Sequence, residues 1–247
     1  MKKLALMLVV ATLLGGVAQL VGAQKTIAND KLTEARAEEA KGDQAQQNKD
    51  FESSVSHYEK ALRFDRENAV LYNKLGVSQL RLKDYKHARK SFLKSLQYDP
   101  KLFNAMNNLG VVDILDKKYK SAVDYLKQAL ALDEENAHTH LNLAEAWLGM
   151  HEVPRAMNEY TRALELDADV LSTSPGGVQA QIYTPEQRAR IDYLIAKLYI
   201  QRNNSEGALD YLGRAKELNY HNLHDVYTDQ AFAPLWKDPR LAKIVKP

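Results

Sequence analysis

The sequence contains no cysteine among its 247 residues. This absence excludes disulfide bonds, thiolate metal sites, cysteine nucleophiles and a lipid-modified N-terminal cysteine. Glycine and proline are also scarce, with 11 and 7 residues, and this scarcity predicts long regular elements joined by short connections. Charged residues make up 27% and hydrophobic residues 45% of the chain, which excludes collagen, a disordered acidic tail and a protein with many membrane spans.

The chain also lacks a large excess of either charge. Its formal charge is +2, from 34 basic and 32 acidic side chains. Lys2 and Lys3 lie in an N-terminal segment that we expect to be removed, and the remaining chain would then be neutral. Because a neutral chain has no general electrostatic attraction for nucleic acid or for an anionic membrane, we expect no nucleic-acid partner.

Residues 1–23 have the three parts of a secretory signal peptide. Lys2 and Lys3 precede an apolar run over residues 4–14, and a Val-Gly-Ala cleavage motif ends at Ala23. We expect cleavage after Ala23, with Ala18 as the alternative, and a mature protein without a membrane span in the periplasm or outside the cell. If the segment were retained, it would be a single anchor, because its apolar stretch approaches the about 20 residues of a membrane span.

The strongest positive pattern is an internal repeat. Gly42, Gly76 and Gly110 are each 34 residues from the next. The same spacing relates three further sets of aromatic or small residues: Phe51, Tyr85 and Tyr119; Ala88, Ala122 and Ala156; and Ala61, Ser95, Ala129 and Ala163. Aligned on these residues, the chain divides into a lead-in at 24–34 and four repeats at 35–68, 69–102, 103–136 and 137–170.

These repeats resemble the tetratricopeptide repeat (TPR). The second repeat carries residues of the family signature at the expected spacing, namely Tyr72, Leu75, Gly76, Ala88, Phe92 and Pro100. The resemblance implies an all-α fold, an antiparallel helical-hairpin solenoid with a short helical C-terminal cap; the alternative is another kind of helical-hairpin solenoid. Small residues at repeat positions 8, 20 and 27 would let the two helices of a hairpin approach closely, while large residues at position 24 interlock.

A turn-forming cluster at residues 171–177 interrupts the repeat. Thr184 is predicted to cap a new helix, with Pro185 at its first position and Gln187 closing a capping box. Residues 171–188 are therefore predicted to be an insertion, 189–222 a diverged fifth repeat, and 223–247 a cap of two short helices. The residues predicted to cover the last apolar face are Phe232, Leu235, Trp236, Leu241 and Ile244.

The sequence contains no motif for catalysis or for binding a cofactor. His151 and Glu152 begin like a zinc-protease motif, but the second histidine is missing and Pro154 interrupts the required helix. Two histidine pairs lack an evident third ligand, whereas metal sites need three or four: His138 with His140, and His221 with His224. We therefore expect no enzyme activity, no cofactor and no metal site.

The resemblance also implies a place for binding. In this family the first helix of each repeat lines a concave groove, principally through repeat positions 2, 5, 6, 9 and 12. On this sequence the predicted groove residues are Asn73, Lys74, Val77, Asn104, Asn107, Asn108, Val111, Ile114, His138, Leu141, Asn142, Glu145, Arg190, Tyr193 and Lys197. Members that grip an acidic peptide terminus use Asn, Lys and Arg where this chain has Val77, His138 and Asn142, which argues against that ligand.

In two repeats an asparagine lies two residues before the small residue at position 8, in Asn108-Leu-Gly and in Asn142-Leu-Ala. This pattern resembles the asparagine ladder of other family members. Since an asparagine offers both a donor and an acceptor, such a row could hold an extended peptide regardless of its sequence. The alternative is that both amides only satisfy nearby backbone groups.

Charge differs between the first and fifth repeats. The first offers Glu39 and Asp43, whereas the fifth offers Arg190 and Lys197, and this difference predicts that a partner with its own charge gradient is held in one orientation. We expect a noncatalytic adaptor that binds an extended segment of another protein. A self-associating structural protein of the cell envelope is the first alternative, and a ligand-sensing or catalytic module is the second.

Overall fold

The computed structural model describes residues 29–173 and 184–245, and every regular element within these ranges is helical. The all-α prediction of consecutive helical hairpins is therefore confirmed. The predicted signal peptide and most of the predicted insertion lie outside the described residues. The chain divides into two compact bodies, an N-terminal body at Met1–Ala105 and a C-terminal body at Met106–Pro247.

The N-terminal body contains two complete hairpins. Helix α1 covers residues 29–47 and is followed by α2 at Phe51–Phe64, α3 at Ala69–Arg81 and α4 at Tyr85–Tyr98. Helix α5, at Phe103–Leu115, begins at the end of this body.

The C-terminal body continues the same alternation of helices. It contains α6 at Tyr119–Leu130, α7 at Ala137–Gly149, α8 at Val153–Leu166 and the short α9 at Val170–Thr173. After the predicted insertion come α10 at Pro185–Gln201 and α11 at Ser205–Glu217. Two 3-10 turns, Leu223–Tyr227 and Gln230–Leu235, lead to α12 at Pro239–Val245.

Close approach between the two helices of a hairpin explains the periodic glycines. A Cβ atom placed on Gly76 would lie 2.6 Å from the Phe92 ring. The same conflict occurs in the other two repeats that have glycine at position 8, at 2.6 Å for Gly42 with Tyr58 and at 2.5 Å for Gly110 with Leu126. Only a hydrogen atom fits at this position, so the expected interlocking of positions 8 and 24 is confirmed in these three hairpins.

The turn inside each hairpin contains a feature that the sequence did not reveal. Repeat position 15 has a left-handed backbone in all five hairpins, with φ of 60° at Lys49, 61° at Lys83, 59° at Lys117, 62° at His151 and 58° at Asn203. Glycine or asparagine usually marks such a helix end, and four of these five residues are Lys or His. The backbone of the repeat imposes this conformation on residues that do not favour it.

The restart of the chain after the insertion follows the sequence prediction. Thr184 caps α10, Pro185 is its first residue, and the Thr184 and Gln187 side chains form the reciprocal capping box. The prediction of a turn-forming cluster was wrong for residues 171–173, because these residues belong to α9. Val170 and Leu171 are buried in the C-terminal core, and this burial extends helical structure into the cluster.

The C-terminal cap buries most of the residues assigned to it. Phe232, Leu235 and Leu241 are at most 1% exposed. Trp236 is 37% exposed, because its indole N–H turns to donate to the Val226 carbonyl at 2.8 Å. The 3-10 turn that contains Val226 was not predicted from the sequence, and it joins the same core.

Candidate binding surface

Helix α3 presents the predicted groove residues of the N-terminal body. Asn73, Lys74 and Val77 are partly exposed along this helix. Their positions five, six and nine of the repeat place them on one helix face. Asn104, at the start of α5, is exposed.

Lys74 is not an available cation, because it is held by two acids of α1. Its Nζ atom lies 2.7 Å from Glu39 Oε1 and 2.8 Å from Asp43 Oδ2. Burial lowers the pKa of Lys74, but the hydrogen bonds to Asp43 and Glu39 outweigh it and raise the pKa above its usual value. Lys74 therefore compensates one of the two negative charges predicted for the first repeat, which weakens the predicted charge gradient at this end.

Asn107 and Asn142 are linked within the C-terminal body. The Asn142 side-chain amide donates to Asn107 Oδ1 at 3.1 Å, and the Thr139 hydroxyl donates to the same oxygen at 3.1 Å. These bonds leave the amide hydrogens of Asn107 and the carbonyl oxygen of Asn142 outside the network. A donor and an acceptor therefore remain side by side on α5 and α7, as recognition of a peptide backbone requires.

Other predicted groove residues flank this pair. Asn108 and Val111 on α5 are partly exposed, and His138 at the start of α7 is exposed. The hydrocarbon surface of Val111 beside the amides would give a bound segment an apolar contact. Asn108, Val111, His138 and the linked pair Asn107 and Asn142 together form what we call the amide face.

The structure places four predicted groove residues in the core, where a partner cannot reach them. Ile114 is fully buried, and the exposures of Leu141, Glu145 and Tyr193 are 9%, 2% and 6%. Leu141 and Tyr193 belong to the C-terminal core cluster with Phe232, whose ring centroid lies 5.2 Å from that of Tyr193. The prediction was wrong for Leu141 and Tyr193 because the diverged fifth repeat and the cap cover these groove positions. Ile114 is buried instead in a cluster formed by residues of α6, α7 and α8.

Glu145 is buried for a different reason, which involves repeat positions 9 and 24. The Tyr160 hydroxyl, at position 24, donates to Glu145 Oε1, at position 9. The first repeat has the same pairing, in which the Tyr58 hydroxyl donates to Asp43 Oδ1 at 2.7 Å. The second and third repeats replace both members of the pair with apolar residues, Phe92 with Val77 and Leu126 with Val111.

This exchange is a signal that the sequence analysis missed. In the first four repeats, tyrosine at position 24 occurs with an acid at position 9, and an apolar residue at 24 occurs with valine at 9. The diverged fifth repeat departs from this, with Leu212 at position 24 and Lys197 at position 9. In the first four repeats position 9 is therefore either a hydroxyl acceptor or an apolar surface. Only the valine repeats present position 9 as an apolar contact.

The two cations predicted in the fifth repeat have different environments. Lys197 Nζ lies 2.7 Å from Asp229 Oδ2, in the segment before the second 3-10 turn. This ion pair removes Lys197 from the set of available groove charges. Arg190 is exposed near the start of α10.

The histidines noted in the sequence have local partners or lie apart. His140 Nδ1 lies 2.7 Å from Glu159 Oε2, and its Nε2 lies 3.1 Å from the Glu134 carbonyl. Within residues 29–173 and 184–245, no three His, Asp or Glu side chains are grouped so that they could hold a metal ion. None of the helices in these ranges has the length and apolarity needed to cross a membrane.

Comparison with known proteins identifies the repeats. Tetratricopeptide repeat family models match residues 69–102 and residues 114–182. No curated protein sequence matches the chain.

Several solved structures have the same fold. MamA 41-end from Desulfovibrio magneticus RS-1 is 17% identical with a TM-score of 0.55, over 75% of this chain and 94% of that one. A second MamA structure is 22% identical with a TM-score of 0.51, over 72% and 93% of the two chains. YrrB, described as a TPR protein with an unusual peptide-binding site, is 22% identical with a TM-score of 0.52, over 81% and 94%. At these identities the likeness concerns the fold.

Proposed function

The chain belongs to the tetratricopeptide repeat family, and from this premise we propose that it is a noncatalytic scaffold that binds an extended segment of a partner protein. The amide face is the observation that carries this proposal. It combines the remaining donor of Asn107, the remaining acceptor of Asn142 and the accessible side chain of Val111.

Such a face can recognise a peptide backbone without reading its side chains. An extended segment presents one N–H and one C=O group per residue, and neighbouring amides can bond to both. The link between Asn107 and Asn142 fixes the orientation of both side chains before a partner arrives, which reduces the entropy lost on binding. The peptide-binding site described for YrrB supports this use of the fold.

The noncatalytic part of the proposal rests on the family and on the sequence, which contains no catalytic motif.

Specificity would come from side chains that flank the amides. His138 is exposed near the first turn of α7. Polar groups of this kind set the register of a bound segment more than its affinity.

We also propose that the protein acts after export, because residues 1–23 have the pattern of a signal peptide. N-terminal sequencing of the protein isolated from its native host tests this step. A chain that starts at Gln24 supports cleavage after Ala23, and a start at Gln19 supports the alternative cleavage after Ala18. A chain that retains Met1 would contradict cleavage.

Site-specific photo-crosslinking in the native host tests the binding function. A benzoylphenylalanine probe at Val111 on the amide face is expected to capture one dominant partner protein. A control probe at Lys90, which is exposed on α4, should not capture that partner. Equal capture at both positions, or adducts formed only with other copies of this chain, would contradict the proposal and favour a self-associating structural protein.

A further inference from the structure

The C-terminal body contains a cavity of about 450 Å³ that is separate from the amide face. It lies between the turns that follow α5 and α7 and the first half of α10. Its apolar wall includes Tyr119, Leu148, Ile191 and Leu194. We call it the turn pocket, and its volume falls within the roughly 300–1,000 Å³ of small-molecule sites.

The repeat architecture builds one side of this pocket. Gly149 ends α7, and a Cβ atom there would collide with the Tyr119 ring. The missing side chain lets that ring lie against the end of α7 as a wall. A tyrosine hydroxyl is uncharged at neutral pH, and burial raises the pKa of Tyr119 further.

The charged residues that line the turn pocket in the described part of the chain have one sign. Lys117 and Arg190 line it together with the imidazole of His151, and no Asp or Glu is among these described lining residues. Lys117 and His151 both occupy repeat position 15, where the left-handed backbone, with φ of 59° and 62°, ends the first helix of a hairpin. Equivalent turns of successive repeats thus bring two basic side chains to one cavity.

These basic groups are available to a ligand. All three residues are exposed, and within residues 29–173 and 184–245 none of them forms an ion pair. Thr184 and Gln187, two uncharged polar residues that also line the pocket, bond to each other's backbone in the capping box. The positive charge of the pocket therefore has no compensating acid among its own lining residues.

From this geometry we propose that the turn pocket binds a small organic carboxylate, an apolar body that carries one carboxylate group. The apolar body would cover Leu148, Ile191 and Leu194, whose burial favours binding. The carboxylate would meet Arg190, whose planar guanidinium matches it with two parallel hydrogen bonds. Lys117 adds positive charge at the rim, and the His151 imidazole adds a hydrogen-bonding group. This site goes beyond the proposed scaffold function, since it would couple a metabolite-sized ligand to the same body that carries the amide face.

The chain's own insertion does not satisfy this chemistry. Residues 174–183 precede Thr184 and contain no Asp or Glu. They therefore offer no side-chain carboxylate to Lys117 or Arg190.

Binding of 4-phenylbutyrate to the mature protein tests the proposal by isothermal titration and ligand-observed NMR. We expect a Kd on the order of 1 mM for a ligand of this size. Two matched probes separate the contributions, since 4-phenylbutanol lacks the charge and butyrate lacks the ring. Each should bind at least about tenfold more weakly, which corresponds to one lost charge-assisted contact or one lost apolar group.

Charge reversal in the pocket provides the matched variants. Arg190→Glu should weaken 4-phenylbutyrate binding at least about tenfold. Arg202→Glu, an equally exposed change at the other end of α10, should leave binding unchanged. Circular dichroism melting of both variants checks that the fold is intact.

Three results would overturn the proposal. These are the absence of 4-phenylbutyrate binding to the unaltered protein, equal binding of 4-phenylbutanol, and equal loss in the two arginine variants. Arg190-dependent binding of the blocked peptide acetyl-Leu-Glu-Leu-amide without binding of 4-phenylbutyrate would also overturn it, since the carboxylate would then come from a partner protein. Crosslinking at Val111 is a separate readout, so the scaffold function and the pocket can fail independently.

Discussion

At the scale of single residues, each hairpin depends on how repeat position 24 meets the first helix. In the first three repeats a large side chain at position 24 contacts a glycine at position 8. In the first and fourth repeats the position-24 tyrosine also donates to an acid at position 9. These two contacts fix the spacing and the polarity of a hairpin, and each can be tested by substitution.

Gly76→Ala should destabilise the protein, because the new Cβ atom would lie 2.6 Å from the Phe92 ring. Overpacking of this kind costs about 1–3 kcal/mol in the free energy of unfolding, measured by urea denaturation. The control is Gly213→Ala in α11, where a Cβ atom would meet nothing within 4 Å. That change should stabilise the protein by up to about 1 kcal/mol through helix propensity. Equal effects of the two changes would contradict the close-approach account.

Tyr160→Phe should destabilise the fourth repeat, because it removes a hydrogen bond to the Glu145 carboxylate, which is 2% exposed. The expected loss is about 1–3 kcal/mol. The double variant Tyr160→Phe with Glu145→Val copies the apolar pair that Phe92 and Val77 form in the second repeat. It should lose less stability than the two single changes added together, and additive losses in a double-mutant cycle would refute the pairing of positions 9 and 24.

At the scale of elements, the hairpin of α10 and α11 carries a buried acid. Asp192 on α10 is 2% exposed, and Arg214 Nη2 on α11 lies 3.4 Å from its Oδ1. Burial raises the pKa of Asp192 to about 6, against the lowering influence of Arg214 and Arg188. The folded hairpin therefore binds the Asp192 proton more tightly than the unfolded chain does.

The pH dependence of stability follows from this shift. An unfolded Asp has a pKa of about 3.9, so the Asp192 contribution is fully present below about pH 4 and is lost as the pH rises through about 6. Asparagine does not titrate, so the Asp192→Asn variant does not lose this contribution to stability as the pH rises. Between pH 4 and pH 7 its unfolding free energy should therefore improve relative to the unaltered protein, by at most about 3 kcal/mol.

Thermal melting at a series of pH values measures this difference. The control is Asp210→Asn on α11, an exposed position, which should show no comparable change. Parallel stability curves for Asp192→Asn and the unaltered protein would contradict the burial of a titrating carboxyl at this hairpin.

At the scale of the whole molecule, the hairpins could be predicted because their core contacts recur every 34 residues. Gly76 with Phe92 and the capping box at Thr184 are local patterns, and the structure confirms both. The accessibility of the groove residues could not be predicted in this way, because it does not follow from a local sequence pattern. Burial of Leu141 and Tyr193 depends on how α10 and the cap pack after the insertion, and no repeat position encodes that packing.

Other surface contacts could not be predicted from the sequence for the same physical reason. The capture of Lys74 by Glu39 and Asp43 joins residues of neighbouring repeats. The turn pocket joins turn residues, such as Lys117 and His151, to the start of α10. Such contacts depend on three-dimensional packing. A sequence pattern can therefore identify the residues, but it cannot identify the residues that they contact.

Mapping of photo-crosslinks on the captured partner tests whether the amide face binds an extended segment. Probes at Val111 on α5 and at His138 on α7 would each be crosslinked and the modified partner residues identified by mass spectrometry. Adjacent helices pack about 10 Å apart, which an extended chain spans in about three residues. Both probes are expected to modify one continuous partner segment within about ten residues. Adducts scattered over distant parts of the partner's sequence, or found only on copies of this chain, would contradict it.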